Sequence, residues 1–171
     1  MKNSSKPPIS KGNIMPVNVA RIDDRLIHGQ VITTWVKNHD IEQVLIINDK
    51  VAGDKVQQSV LTMSAPPELK VLVFGVQKFI DVLKKTEIKK RTMLLFTNSV
   101  DVNILVANGL NITTLNVGGM RMQEGRKSLT RAVAVTPEEE AAFKSLIAKD
   151  IAVEVQMVPK DPVIELHTLL K

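Results

Sequence analysis

The residues best able to do chemistry fall in one segment, Arg21-Ile22-Asp23-Asp24-Arg25-Leu26-Ile27-His28-Gly29-Gln30. Two arginines, two aspartates and a histidine occupy eight consecutive positions, a density of charge that a surface loop does not need. A neutral imidazole at His28 offers a ring nitrogen as nucleophile. Arginine forks suit phosphate oxygens, which they bind bidentately. Gly29 lets a ligand approach the backbone closely. A helix that starts here presents free N–H groups and its positive dipole end to an anion. Together these residues describe a histidine that accepts and holds a phosphoryl group. An aspartate would orient the imidazole or fix an arginine in place.

The other two histidines read as ordinary residues. His39 sits in a polar turn, Lys37-Asn38-His39-Asp40, and His167 on the last expected helix. The spacing of the three supports no metal site, and no cofactor is expected. There is no Walker-type loop, so no nucleotide is implied. Gly118-Gly119 reads equally as a tight turn after a strand or as part of the site.

A strand must deliver this loop and a helix must follow it. Short β-branched runs predict strands at 17–21, 44–48, 71–74, 92–97, 113–116, 132–135 and 152–157. Several are apolar on consecutive residues (VLII, VLVF, MLLF), the pattern of strands covered on both faces. Helical stretches lie between them, at 30–37, 77–85 and 100–108, the last ending at Gly109. A further helix at 53–63 places Val56, Val60 and Met63 on one stripe. Thr136-Pro137-Glu138 is a helix start, with Thr as N-cap, Pro in the first turn and acids against the dipole. That helix runs to about 148, and a last one follows Asp161-Pro162 by the same logic. Ala65-Pro66-Pro67 is a loop. The alternation predicts an α/β fold: an open, mostly parallel sheet with helices on both faces, forming one domain over 15–171. Residues 1–14, rich in Ser, Pro, Lys and Asn, are expected to be a flexible tail or linker. In such sheets ligands bind beyond the carboxyl ends of the strands, where strand order reverses.

Composition removes other classes. The 171 residues contain no cysteine, which excludes a disulfide scaffold, a thiolate zinc site and a thiol nucleophile. Aromatics make up 3%, with no tyrosine, which is poor material for stacking bases. No apolar run approaches the roughly 20 residues of a membrane span. Residues 1–14 lack the apolar core of a secretory leader. Of the net charge of +5, Lys2, Lys6 and Lys11 belong to the tail, so the body is nearly balanced. Nucleic acid is therefore not an expected partner. A competing reading is a receiver-like signalling domain phosphorylated on aspartate, with Asp23-Asp24 as its acidic pocket. Against it, the strand at 71–74 ends in Gly75 with no acceptor aspartate.

The segment Arg21–Val31 (RIDDRLIHGQV), with Trp35, Ala-Pro-Pro at 65–67, MLLFTN at 93–98 and NVGGM at 116–120, resembles the IIB component of the mannose-family sugar phosphotransferase system (PTS). The resemblance covers Met15 to Lys171 and is closest to the mannose-type proteins. It implies a carrier that takes a phosphoryl group from a phosphohistidine of a IIA protein onto Nδ1 of its own histidine. The carrier then passes the group to a sugar, a hexose or amino sugar, held by the membrane IIC/IID components. By this resemblance His28 is the phosphohistidine, Arg25 contacts the phosphate and Asp23 supports the site. Gly29, Gln30, Thr97, Asn98, Gly118 and Gly119 would line the same rim. The rim should be wide and open, since His28 must face IIA and then the sugar site. Arg21, Arg121, Arg126 and Lys127 would steer an acidic IIA partner, although Arg126-Lys127 alone reads as a solvated turn. IIA would be a separate polypeptide. The protein would be cytoplasmic, peripheral to the inner face of the cell membrane, and a homodimer is compatible with the resemblance.

Overall fold

Strands that are apolar on consecutive residues need cover on both faces, and the fold supplies it for VLII at 44–47 and MLLF at 93–96, but not for VLVF at 71–74, which lies at the sheet edge with Leu72 exposed and its neighbours only partly buried. A computed structural model describes residues 17–170, so the tail expected at 1–14 lies outside the described residues. In chain order, β1 (Val17–Asp23) leads to α1 (Gly29–Asn38), β2 (Gln43–Ile47), α2 (Asp49–Ala52) and α3 (Lys55–Ser64). Then come β3 (Lys70–Phe74), α4 (Val76–Lys85), β4 (Thr92–Phe96), α5 (Ser99–Ala107) and β5 (Thr114–Gly119). The chain closes with β6 (Lys127–Ser128), β7 (Ala134–Val135), α6 (Pro137–Ala148), β8 (Ala152–Val155), β9 (Ile164–Glu165) and a 3-10 turn (Leu166–Leu169). The main sheet has the order β3-β2-β4-β1-β5-β8-β9. Its pairs are parallel except β8 with β9.

Alternate residues of each strand feed two separate cores. Val19, Val44, Ile46, Met93 and Leu95 pack against Ile32 and Trp35 of α1 and Leu61 of α3. Ala20, Ile22, Leu45, Leu94, Phe96 and Val117 pack against Phe79 of α4, Val102 of α5 and Phe143 of α6. The helix after β1 thus lies on one face, while those after its neighbours β4 and β5 lie on the other. Chain connections diverge at the carboxyl end of β1 and leave a crevice there, the place where open α/β sheets bind ligands.

Three expectations are corrected. No helix follows Asp161-Pro162. Val163 precedes β9, which pairs antiparallel with β8 (Val155 opposite Ile164), and His167 lies in the 3-10 turn. The free edge of β8 offers this segment ready hydrogen bonds, which it takes in place of a helix. The helix expected at 53–63 begins only at Lys55, capped by the Asp54 carboxylate, which accepts from Gln57 N at 3.0 Å. Its Val56, Val60 and Met63 are exposed. The inward positions are Gln58, Leu61 and Ala65, and Gln58 Nε2 donates to the carbonyls of Val51 and Ala52, closing the end of α2. The strand expected at 132–135 stays out of the main sheet and pairs with β6, although Val133 bridges to Met120. Thr136 caps α6 as expected, accepting from Glu139 N at 3.1 Å.

Candidate active site

β1 runs on through Asp23, so Arg21 and Asp23 are strand residues rather than loop residues. By alternation they point, like Val19, toward α1. Both are 1% exposed. The Arg21 guanidinium donates to the Asn116 side chain, to Gln156 O (3.2 Å), to Met157 O (3.0 Å) and to Asp23 Oδ2 (3.0 Å). Its face lies 5.0 Å from the centre of the Trp35 ring, and Trp35 Nε1 donates to the same Met157 carbonyl at 2.8 Å. Burial lowers the pKa of Arg21 from its ordinary value and Arg25 adds to the lowering, while the charge and hydrogen bond of Asp23 oppose it. A guanidinium stays protonated in proteins regardless. Arg21 is therefore too deep to steer a partner.

Asp23 is shared between two arginines. Its Oδ1 accepts from the backbone N and the Nε of Arg25, both at 3.1 Å, and its Oδ2 from Arg25 Nη2 at 3.4 Å. Among the described residues every side-chain hydrogen bond of Arg25 goes to Asp23, and that side chain is 30% exposed. The Arg21–Asp23–Arg25 row carries a net positive charge and shows its outer arginine to solvent.

The two glycines of β5 make room for this row and do not form a turn. A Cβ on Gly118 would sit 2.0 Å from Arg21 Nη2 and 2.2 Å from its Cζ. One on Gly119 would sit 3.2 Å from Arg25 Nη2. The register between β1 and β5 slips at this point, from Ile22 opposite Val117 to Asp23 opposite Gly119, which leaves Gly118 as the extra residue.

After Asp23 the chain turns, Leu26 N donating to Asp23 O at 2.9 Å. Leu26 and Ile27 are buried in the core beneath α1 and pin the loop. Leu26 (φ 60) and Gly29 (φ 50) are left-handed and bracket His28. His28 is the N-cap residue of α1 but its side chain caps nothing, and no acid stands in the first turn. The helix start is thus open to an anion. Nothing lies within 4 Å of a Cβ placed on Gly29, so its conformation, not crowding, calls for glycine. The His28 ring is half-buried. Nδ1 lies 3.1 Å from Leu26 O, and Nε2 is buried without a partner. A carbonyl only accepts, so in this conformation Nδ1 carries the proton.

The remaining rim residues are placed as follows. Gln30 is exposed in the first turn of α1. Thr97 and Asn98 follow β4, beside the end of β1, whose Ile22 pairs with Phe96. The Thr97 hydroxyl accepts from Asn48 and Asn98, and Asn98 caps α5 by accepting from Asp101 N at 2.9 Å. Next to Arg25, Gly118 and Gly119 opens a cleft of about 620 Å³, walled by Met122, Val155, Met157 and Ile164 and rimmed by Arg121 and Arg131.

Sequence reasoning missed a second ionic cluster. Arg126 is buried, not solvated: it donates to Asp24 Oδ2 (3.3 Å), Glu139 Oε1 (3.0 Å) and Arg121 O (2.7 Å). It ties the active loop to α6. Arg121 and Lys127 are exposed, paired with Asp24 and Glu140. His39 closes α1 and stacks on Trp35 at 5.5 Å.

Comparison with known proteins gives consistent results. Residues 17–171 match the family described as PTS system sorbose subfamily IIB component. The mannose-specific EIIAB component of Escherichia coli K12 is 41% identical over 164 residues, covering 95% of this chain and 51% of that protein. This chain thus spans about half the length of that relative. The sorbose-specific EIIB component of Klebsiella pneumoniae is 40% identical over 149 residues, 86% of this chain and 91% of its own. The crystal structure of the IIBSor domain of the Klebsiella pneumoniae sorbose permease superposes with a TM-score of 0.82 at 36% identity, covering 91% of this chain and 96% of that one.

Proposed function

The chain belongs to the sorbose-subfamily IIB components of the sugar phosphotransferase system, and from that premise we propose that it is a phosphoryl carrier whose acceptor is His28. The observation that carries the reading is Arg25, a partly exposed arginine whose side chain, among the described residues, is anchored on buried Asp23 alone, three residues before a histidine at an uncapped helix start. The donor is a phosphohistidine of a IIA protein. The recipient is a hexose or amino sugar held by membrane IIC/IID components, at the cytoplasmic face.

Transfer begins when the His28 ring turns off Leu26 O, releases its Nδ1 proton to solvent and takes one up at Nε2, so that Nδ1 presents a lone pair. That lone pair attacks phosphorus as the donor N–P bond breaks, and the bonding pair stays on the donor imidazole. A donor protonated on its other nitrogen leaves neutral, and His28 becomes the phosphoimidazolium, so no proton need cross. Arg25 and the first N–H groups of α1 neutralise the phosphoryl oxygens, which is most of what a protein contributes to such a transfer. The cleft beside Arg25, lined by apolar side chains and by three arginines against the one acid Asp161, suits an acidic partner surface. Asp23 is enclosed by two arginines and Asp24 is engaged by Arg121 and Arg126, so neither offers an open carboxylate for aspartyl phosphorylation.

The test is labelling with radioactive phospho-IIA, and with phosphoramidate as a partner-free donor. Wild type should take up label that is labile to acid and stable to alkali, and His28→Ala should take up none. Label lost in alkali would point to aspartate. Label retained by His28→Ala would overturn the assignment. Nitrogen–phosphorus coupling in the NMR spectrum should place the group on Nδ1.

A further inference from the structure

The two arginines on Asp23 differ in freedom, and the difference bears on the transfer step. Arg21 is locked: both terminal nitrogens of its guanidinium are engaged, by the Asn116 side chain, by the carbonyls of Gln156 and Met157 and by Asp23, and the Trp35 ring covers its face. The backbone of Gly118 closes the last side, leaving no room even for a methyl group. Arg25 answers to Asp23 alone and borders the open cleft. When a phosphoryl group arrives, Arg25 is the one that can move. Its departure would strip a carboxylate that is 1% exposed of a counter-charge, and a buried unpaired charge is strongly unfavourable.

We propose that Arg21 is a positioning residue for phosphoryl transfer, the fixed counter-charge that keeps the Asp23 carboxylate paired and in place while Arg25 leaves it for the phosphoryl oxygens. The inference rests on the carrier role of His28. With Arg21 present, Asp23 keeps a hydrogen-bonded cation and the backbone N–H of Arg25 throughout, so the exchange of Arg25 between carboxylate and phosphate is close to balanced. Without Arg21, Asp23 has Arg25 as its only cation and holds it back. The tie from Arg21 to the carbonyls of Gln156 and Met157 also anchors this counter-charge to the segment after β8, which forms one wall of the cleft.

A double-variant cycle tests this. Arg21→Gln should lower the kcat of phosphoryl uptake from phospho-IIA tenfold or more and leave KM within about threefold. It should slow uptake from phosphoramidate by a similar factor. Removing the captor should release Arg25, so Arg21→Gln/Asp23→Asn should run faster than Arg21→Gln and close to Asp23→Asn alone. A purely structural role predicts the reverse, with the double variant no faster than the worse single one. Should Arg21→Gln not fold, Arg21→Lys with and without Asp23→Asn carries the same comparison, since lysine keeps the charge but cannot serve Asp23, Asn116 and two carbonyls together. If wild type takes no label on His28, the carrier reading itself fails. If wild type labels normally but Arg21→Gln matches its kcat, or Asp23→Asn gives no rescue in either background, the role of Arg21 is refuted and the carrier reading stands.

Discussion

Replacing Gly118 by alanine sets two effects of opposite sign against each other. Glycine inside a strand costs about 0.5–1 kcal/mol relative to alanine, and Gly118 has no left-handed backbone that would require glycine. Propensity alone therefore predicts a small gain. The structure predicts a large loss. The new Cβ would fall 2.0 Å from Arg21 Nη2, 2.2 Å from Cζ and 2.6 Å from Nη1, so the guanidinium must leave its seat. It cannot do so cheaply, because it lies between Asp23, Asn116 and two carbonyls on one plane and Trp35 on its face. Breaking a buried ion pair costs about 3–5 kcal/mol. For a domain of this size each kcal/mol moves Tm by roughly 2–4 °C, so Gly118→Ala should melt roughly 6–20 °C below wild type. Gly119→Ala is the control. Its Cβ would meet Arg25 Nη2 at 3.2 Å, and that side chain can give way into solvent, so the change should stay within about 1 kcal/mol. Thermal and urea unfolding of the two variants decide the matter. A Gly118→Ala protein melting within about 2 °C of wild type, or more stable than it, would refute the locked seat of Arg21.

Further outcomes follow from the same geometry. Arg126→Met leaves Asp24 and Glu139 without their buried cation and should cost about 3–5 kcal/mol in urea unfolding. Arg121→Met, at a side chain 69% exposed, should cost at most about 1 kcal/mol. Burial raises the Asp101 carboxyl above its ordinary value, with the Asn98 hydrogen bond opposing and the charge of Asp49 adding to the rise. A carboxyl raised in the fold binds its proton better folded than unfolded, so its penalty is present at neutral pH and is relieved as pH falls through the folded value. Asp101→Asn should accordingly unfold later than wild type at pH 7, with the difference gone below about pH 4. Gly29→Ala, at φ 50 with open space around it, should lose about 1–2 kcal/mol to backbone strain alone, and Gly29→Asn less.

The parallel α/β architecture was legible because VLII and MLLF are buried on both faces, and a sequence shows that as an unbroken apolar run. The cap at Thr136 and the candidate loop were legible because their meaning is local: an N-cap acts within three residues, and Arg25 folds back on Asp23 two residues away, just before His28. The α3 stripe misled because Val56, Val60 and Met63 have helical spacing whether they face the core or water. Which face turned inward was settled by Gln58 reaching back to the end of α2.

The role of Arg21 could not be read from the chain, since its partners stand 95 and more than 130 residues away, on Asn116 and at Gln156-Met157. Arg126 was hidden in the same way, its partners coming from the active loop and α6. Local spacing alone singled out the segment after the first strand, and His28 within it, as the candidate for phosphoryl chemistry. Whether an arginine is buried or solvated depends on which distant backbone carbonyls and carboxylates converge on it. Only the packing of β5, β8 and α1 around the end of β1 decided that Arg21 is held fast while Arg25 is free to move.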